Sequence, residues 1–344
     1  MSTATATTTM ATNPQVRGLV VEDLRLALPS GTPLRHCSIS VRPGEVVGLV
    51  GESGSGKSLT ALACLGLLPA QARTSGSIRI GGESVLGASE ATLRRVRGKR
   101  IAMIFQNPLS ALNPFYPVGR QIGEVLRTHF PAESKAALQE RVLRALQRVQ
   151  LGADYASRYP HQMSGGQLQR AMIALAIACE PEVLIADEPT TALDVTVQAR
   201  IVRLLKELTG QGMGLLLISH DLALVSEVAD RVVVMYAGRS VESGATRELM
   251  ASASHPYTVS LLKAQPRLLG EQAALPQRRL PVIEGQVLPA SMDPPGCVFR
   301  ERCRRAVEAC ARVAPPTVSL RAGSHVECHH PVLPVRQPVE SSHV

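Results

Sequence analysis

The apolar positions along the chain fall into two kinds of run. Between residues 18 and 50 they come in short alternating stretches, broken at Pro29-Ser30-Gly31 and Pro43-Gly44, a pattern of strands and tight turns. Val46-Val47-Gly48-Leu49-Val50, Leu184-Ile185-Ala186, Leu215 to Ile218 and Val232 to Met235 are continuous apolar runs. Such runs suit parallel strands covered on both faces. Helical spacing appears elsewhere. Ser58 to Leu68 predicts a helix entered from a Gly/Ser-rich loop. Residues 131–151 predict an amphipathic one, with Leu138, Val142, Ala145, Leu146 and Val149 on one face and Gly152 to end it. Residues from about 107 to 178 read as a helix-rich insert. The longest apolar run, Ala171 to Cys179, is short of the ~20 residues a membrane-spanning helix needs and predicts a buried helix. After about residue 265 the texture changes: Pro266, Pro281, Pro289, Pro294, Pro295, Pro315 and Pro316 interrupt any long element. The expected organisation is a tail over 1–17, rich in Ser, Thr and Ala and read as disordered, a main domain over 18–265, and a small irregular module over 266–344.

Composition changes this picture little. Of 344 residues, 45% are hydrophobic and 19% charged, a globular balance. The net charge of +9 fits ordinary surface basicity and equally an anionic lipid surface, phosphate ligands or nucleic acid. Seven cysteines are present. Cys37, Cys64 and Cys179 are scattered, as reduced buried thiols in a cytosolic protein would be, whereas Cys297, Cys303, Cys310 and Cys328 cluster.

The chemistry is concentrated in a few motifs. Gly51-Glu52-Ser53-Gly54-Ser55-Gly56-Lys57-Ser58 matches the phosphate-binding pattern GxxxxGK[ST] between a strand and a helix. Its glycines let backbone N–H groups turn toward phosphate oxygens, and the helix N-terminus adds partial positive charge. Lys57 is placed to reach the β- and γ-phosphates and Ser58 to bind Mg²⁺. Val183 to Glu188 is an apolar strand ending in two carboxylates, Asp187 for Mg²⁺ and Glu188 for the attacking water. Ser164-Gly165-Gly166-Gln167 opens a further helix with a hydroxyl and glycine amides, an anion site by the same physics.

Tyr159 to Arg170, containing that Ser-Gly-Gly-Gln, resembles the signature of the ATP-binding-cassette (ABC) ATPases, with Met163 where Leu is commoner. Other positions match in order. Phe105-Gln106-Asn107-Pro108 looks like the Q-loop, with Gln106 near Mg²⁺ and water. Ala192-Leu193-Asp194 looks like the D-loop, and His220 looks like the switch histidine that contacts the γ-phosphate. The resemblance covers roughly residues 18–262. It implies an α/β fold, the P-loop NTPase ABC nucleotide-binding domain, binding ATP and Mg²⁺. It also implies a dimer in which Ser164 to Gln167 close on the partner's nucleotide and the D-loop crosses the interface. One departure stands out: the family usually stacks adenine on an upstream aromatic residue, but none precedes Phe105, and Leu28 falls near the expected place.

The cysteine segment from Gly296 onward, with His255-Pro256-Tyr257 before it, is similar to the C-terminal extension of dipeptide/oligopeptide importer ATPases. In that family the four cysteines can hold a [4Fe–4S] cluster; the residues alone also admit zinc or buried free thiols. Arg300, Arg302, Arg304 and Arg305 crowd the segment, either offsetting cluster charge or forming a solvated face. The resemblance implies peptide import, or import of another small solute such as nickel or glutathione. It implies two transmembrane permease subunits, a second ATPase that is a paralogue or a second copy, an extracytoplasmic solute-binding protein acting indirectly, and a peripheral place on the cytoplasmic side of the inner membrane, with no nucleic acid. Readings from other classes are a nucleic-acid-linked ABC ATPase and a redox-sensing module. Because the ATP motifs end well before residue 280, the ATP site is expected to survive changes in the cysteine segment.

Overall fold

A computed structural model describes residues 17–191, 193–265, 282–320 and 323–332. The expected tail (apart from residue 17), Ala192 of the D-loop motif, and Pro266 to Pro281, where the module boundary was placed, lie outside the described residues.

The strands run β1 (Leu19–Leu28), β2 (Gly31–Val41), β3 (Val46–Val50), β4 (Arg73–Ile80), β5 (Glu83–Ser84), β6 (Ile101–Ile104), β7 (Val183–Asp187), β8 (Gly214–Ser219), β9 (Arg231–Tyr236), β10 (Arg239–Ala245), β11 (Thr317–Ser319) and β12 (His325–Glu327). The continuous apolar runs form the parallel centre. β3 lies between β8 and β9, and β7 joins β8 to β6, all parallel. Every residue of β3, β7 and β8 is buried, as runs covered on both faces should be. The alternating stretch builds an antiparallel layer in which β1 pairs with β2 and β4.

Between β6 and β7 lie the helices Pro108–Ala111, Val118–His129, Lys135–Arg148 and Gly165–Ile177. The Lys135–Arg148 helix begins four residues past Pro131 because Ser134 is its cap, accepting from the Ala137 N–H at 3.2 Å. Leu138, Val142, Ala145 and Leu146 are its buried face. The helix after the glycine loop spans Lys57–Cys64, shorter than its apolar pattern, because Gly66 at φ +62° and then Pro69 turn the chain away. Among the described residues no helix is long and apolar enough to cross a membrane.

The cysteine segment is part of this architecture. β12 pairs antiparallel with β10 and so extends the central sheet. Cys297, Val298, Phe299 and Cys310 pack in the same apolar cluster as the parallel strands. The Thr32 N–H in β2 donates to the Ala290 carbonyl at 2.7 Å. A segment too rich in proline for a core of its own has joined the existing one.

Candidate functional site

The glycine loop leaves β3 at Val50 and enters the helix at Lys57. Gly51, Gly54 and Gly56 all have positive φ, and a Cβ on Gly51 would sit 2.1 Å from the Met235 carbonyl, so only glycine fits that first position. The Lys57 ammonium is buried and donates to the carbonyls of Gly51 at 2.8 Å and Glu52 at 3.0 Å. Burial lowers its pKa, while Glu188, Asp187 and Glu52 act in the opposite direction.

β7 delivers the two carboxylates. Asp187 is buried at the strand end, hydrogen-bonded to Ser58, and its Oδ1 has no hydrogen-bond partner. Burial raises its pKa against the Ser58 bond, which lowers it. Glu188 adopts φ +48°, a strained value for a non-glycine residue, with its N–H bonded to the Ile218 carbonyl at 3.0 Å. That bend turns its carboxylate to the end of β8, where it meets His220. Gln106 is exposed just beyond β6, whose Ile104 pairs with Ala186, so it stands at the strand-end edge that carries Asp187.

The remaining motif residues sit on helix starts. Ser164 caps Gly165–Ile177: its hydroxyl accepts from the Gln167 N–H, while the Gln167 side chain accepts the Ser164 N–H at 2.9 Å. Gln167 also donates to the Tyr155 hydroxyl at 2.8 Å. A Cβ on Gly166 would meet Val197 at 3.0 Å. Asp194 caps Val195–Thr209, accepting from the Val197 N–H at 3.0 Å. Among the described residues, none of residues 164–167 and not Asp194 is hydrogen-bonded to the glycine loop of the same chain.

Cys297, Cys303, Cys310 and Cys328 all line one small cavity with His255, His329 and His330, and all four are free thiols. Burial pushes the Cys297 thiol up to about 11 and also raises Cys303 and Cys328. Among the described residues no three His, Cys, Asp or Glu side chains are grouped to hold one metal ion. The four arginines separate by role. Arg300 and Arg305 line the cysteine cavity, Arg304 is exposed beside Glu284, and Arg302 points into the protein.

Two residues that sequence reasoning gave no part in the ATP site touch it. The Glu52 N–H donates to the Tyr257 hydroxyl at 3.0 Å, and the Arg302 guanidinium grips the Glu52 carboxylate with both ends, at 2.6 and 3.1 Å. The cysteine segment therefore touches the glycine loop directly, although the ATP motifs end well before residue 280. The only signal in the chain was an arginine placed next to Cys303, and nothing local distinguished it from its neighbours.

Comparison with known proteins agrees with this geometry. A family model described as ABC transporter matches residues 34–191, and one described as oligopeptide/dipeptide transporter, C-terminal region, matches residues 241–310. A peptide import ATP-binding protein of Brucella ovis is 46% identical over 302 residues, covering 84% of this chain and 89% of its own. The D,D-dipeptide transport ATP-binding protein of Escherichia coli K12 is 43% identical over 322 residues, covering 91% and 96%. Among solved structures, a post-hydrolysis dimer of an ATP-binding cassette bound to ADP and Pi superposes with a TM-score of 0.59 at 26% identity, over 67% of this chain and 99% of that one. The cbiO1 cassette of Clostridium perfringens, part of an ABC transporter complex, superposes with a TM-score of 0.62 at 28% identity, over 68% and 91%. With the phosphate loop, the paired carboxylates and the capped Ser-Gly-Gly-Gln helix in one fold, and with these matches along its length, the chain belongs to the ABC-transporter ATPase family, in the branch that carries the oligopeptide/dipeptide transporter C-terminal region.

Proposed function

We propose that this chain is the ATP-hydrolysing subunit of an importer that takes di- and oligopeptides across the cytoplasmic membrane, bound peripherally to two permease subunits and paired with a second ATPase. The observation that carries this reading is the joining of a full set of nucleotide-site motifs to the C-terminal region matched over 241–310. The names of the 46% and 43% identical relatives supply the solute class.

The residues present fit a bound Mg²⁺. Asp187 offers a buried, unpartnered oxygen beside the Ser58 hydroxyl, and Gln106 stands on the same edge. Ser58, Asp187 and Gln106 would hold the ion, which when bound offsets charge on the β- and γ-phosphate oxygens. Lys57 would exchange its loop carbonyls for those oxygens. Glu188 takes the proton of the attacking water, and His220, held by Glu188, is positioned at the γ-phosphate side. Ser164 to Gln167 and Asp194 are left to act on the partner's nucleotide, consistent with their lack of bonds to their own loop.

The cysteine cavity is read as a [4Fe–4S] site. In such a cluster each thiolate ligates its own iron, so the sulfurs stand further apart than around a single ion. What supports this reading is four free thiols around one cavity, the donor type such a cluster takes. Arg300 and Arg305 supply compensating charge there.

The test is uptake by the intact complex reconstituted in vesicles with a panel of peptides. ATP-dependent peptide accumulation that disappears in Lys57→Ala is expected. Accumulation of other solutes but no peptide would overturn the assignment of substrate.

A further inference from the structure

The chain is poor in aromatic residues, with four Phe, five Tyr and no Trp. Three of them pack together beneath the glycine loop. Tyr236 and Tyr257 lie 4.8 Å apart between ring centroids, and Phe299 is 5.1 Å from the first and 5.4 Å from the second. Phe299 also lines the cysteine cavity. Its carbonyl accepts the Arg302 N–H at 3.0 Å. One continuous packed unit thus runs from the cysteines to the loop.

Its end on the loop is made of two bonds to a single residue. Tyr257 accepts the Glu52 backbone N–H, and Arg302 holds the Glu52 side chain. The Arg302 side chain is only 3% exposed, and its remaining donors go to the carbonyls of Ile283 at 2.9 Å and Glu284 at 2.9 Å and to the Tyr236 hydroxyl at 3.5 Å. The C-terminal segment holds Arg302 through two carbonyls and Tyr236 adds a third anchor, which leaves the guanidinium edge that faces the loop to Glu52. Glu52 is the second residue of the phosphate loop, directly after Gly51, whose carbonyl binds the Lys57 ammonium. A shift of Glu52 is a shift of the backbone that must surround the phosphates.

We propose that Arg302, with Tyr257, is a positioning residue of the ATP site, acting through Glu52 to hold the phosphate loop in its nucleotide-binding shape. The C-terminal segment then sets nucleotide affinity, and anything that rearranges the cysteine cavity is transmitted to the loop along Phe299 and Arg302. A buried charge pair loses most when one partner is removed, because the other charge is left without compensation. Residues in such direct contact also show non-additive effects when both are changed.

This inference rests on the reading of Gly51 to Ser58 as the phosphate loop, and the experiment separates the two. Binding of Mg-ATP to the full-length chain is measured by calorimetry for the parent, Arg302→Gln, Glu52→Gln, the exchange Glu52→Arg/Arg302→Glu, the exposed control Arg304→Gln, and Lys57→Ala. Each single change in the pair is expected to weaken ATP binding by at least about twofold, the lower end of the coupling between contacting residues. The exchange should recover most of that loss, and Arg304→Gln should bind like the parent. Hydrogen exchange at the loop amides should quicken in Arg302→Gln. If Arg302→Gln does not fold, Glu52→Gln and the exchange carry the test, since they break and remake the same pair. Parental affinity in both single variants overturns the proposal, as does a loss that the exchange leaves unrelieved. Parental affinity in Lys57→Ala would instead overturn the phosphate-loop reading itself.

Discussion

Both carboxylate oxygens of Glu188 lie 2.9 Å from Nδ1 of His220, and the same carboxylate accepts the His220 backbone N–H at 3.0 Å. The two side chains differ in setting. Glu188 is mostly covered at 15% exposure, whereas His220 is 69% exposed and reaches into solvent. A strained backbone at Glu188 and a strand end at Ser219 are what bring them together. In the proposed function this carboxylate takes the proton of water and the imidazole it holds reaches the γ-phosphate side.

Glu188→Gln should leave ATP binding intact and lower hydrolysis by the complex by ~10²–10⁴-fold, the range for loss of a general base. His220→Ala should also slow turnover. Because the two residues act as a unit, the double variant should be little slower than Glu188→Gln alone. Single-turnover ATPase rates of the assembled complex check this. Near-parental turnover in Glu188→Gln would remove Glu188 from the chemistry.

Ser164 both caps its helix and, in the proposed dimer, faces the partner's nucleotide. The two roles can be separated by charge. Ser164→Asp keeps an N-cap oxygen, so the fold should hold. It also places a carboxylate against the γ-phosphate across the interface. In a Glu188→Gln background, light scattering should show ATP-driven dimers for Ser164 and monomers for Ser164→Asp, with equal ATP binding to the isolated chains. Weakened binding to the monomer would place Ser164 in its own chain's site.

Leu28 ends β1, is half-buried, and pairs with Gly31 across the hairpin turn. If adenine packs there without an aromatic face, Leu28→Tyr should tighten ATP binding by up to ~1 kcal/mol, the scale of an aromatic pair beyond area burial. Titration with ATP and with GTP reads both the gain and its base dependence. A clear loss for both nucleotides would show that another group covers the base.

Protein prepared without oxygen should be brown and carry about four irons per chain, the content of a [4Fe–4S] cluster. Replacing Cys297, Cys303, Cys310 or Cys328 by Ser should lower that content. The loss should extend to ATP affinity, because Cys303 adjoins the arginine that grips Glu52. Iron analysis and ATP titration on the same samples decide the matter. Colourless protein with one zinc, or with no metal, would exclude the cluster.

Much of the nucleotide site was written locally. The glycine loop, the apolar strand ending in Asp187 and Glu188, and the Ser164 cap each depend on a few consecutive residues, so their spacing alone announces them. The parallel centre was equally legible, since strands buried on both faces must be apolar throughout. Other features were settled only by tertiary structure. The cysteine segment could be seen as proline-broken and in need of outside support, but not which surface supports it. That came from β12 pairing with β10 and from Phe299 entering the main core. Arg302 is the clearest case. Four arginines stand within six residues, chemically alike and locally indistinguishable. Only the fold, by burying one of them 250 positions away from Glu52, decides which becomes part of the phosphate loop's support.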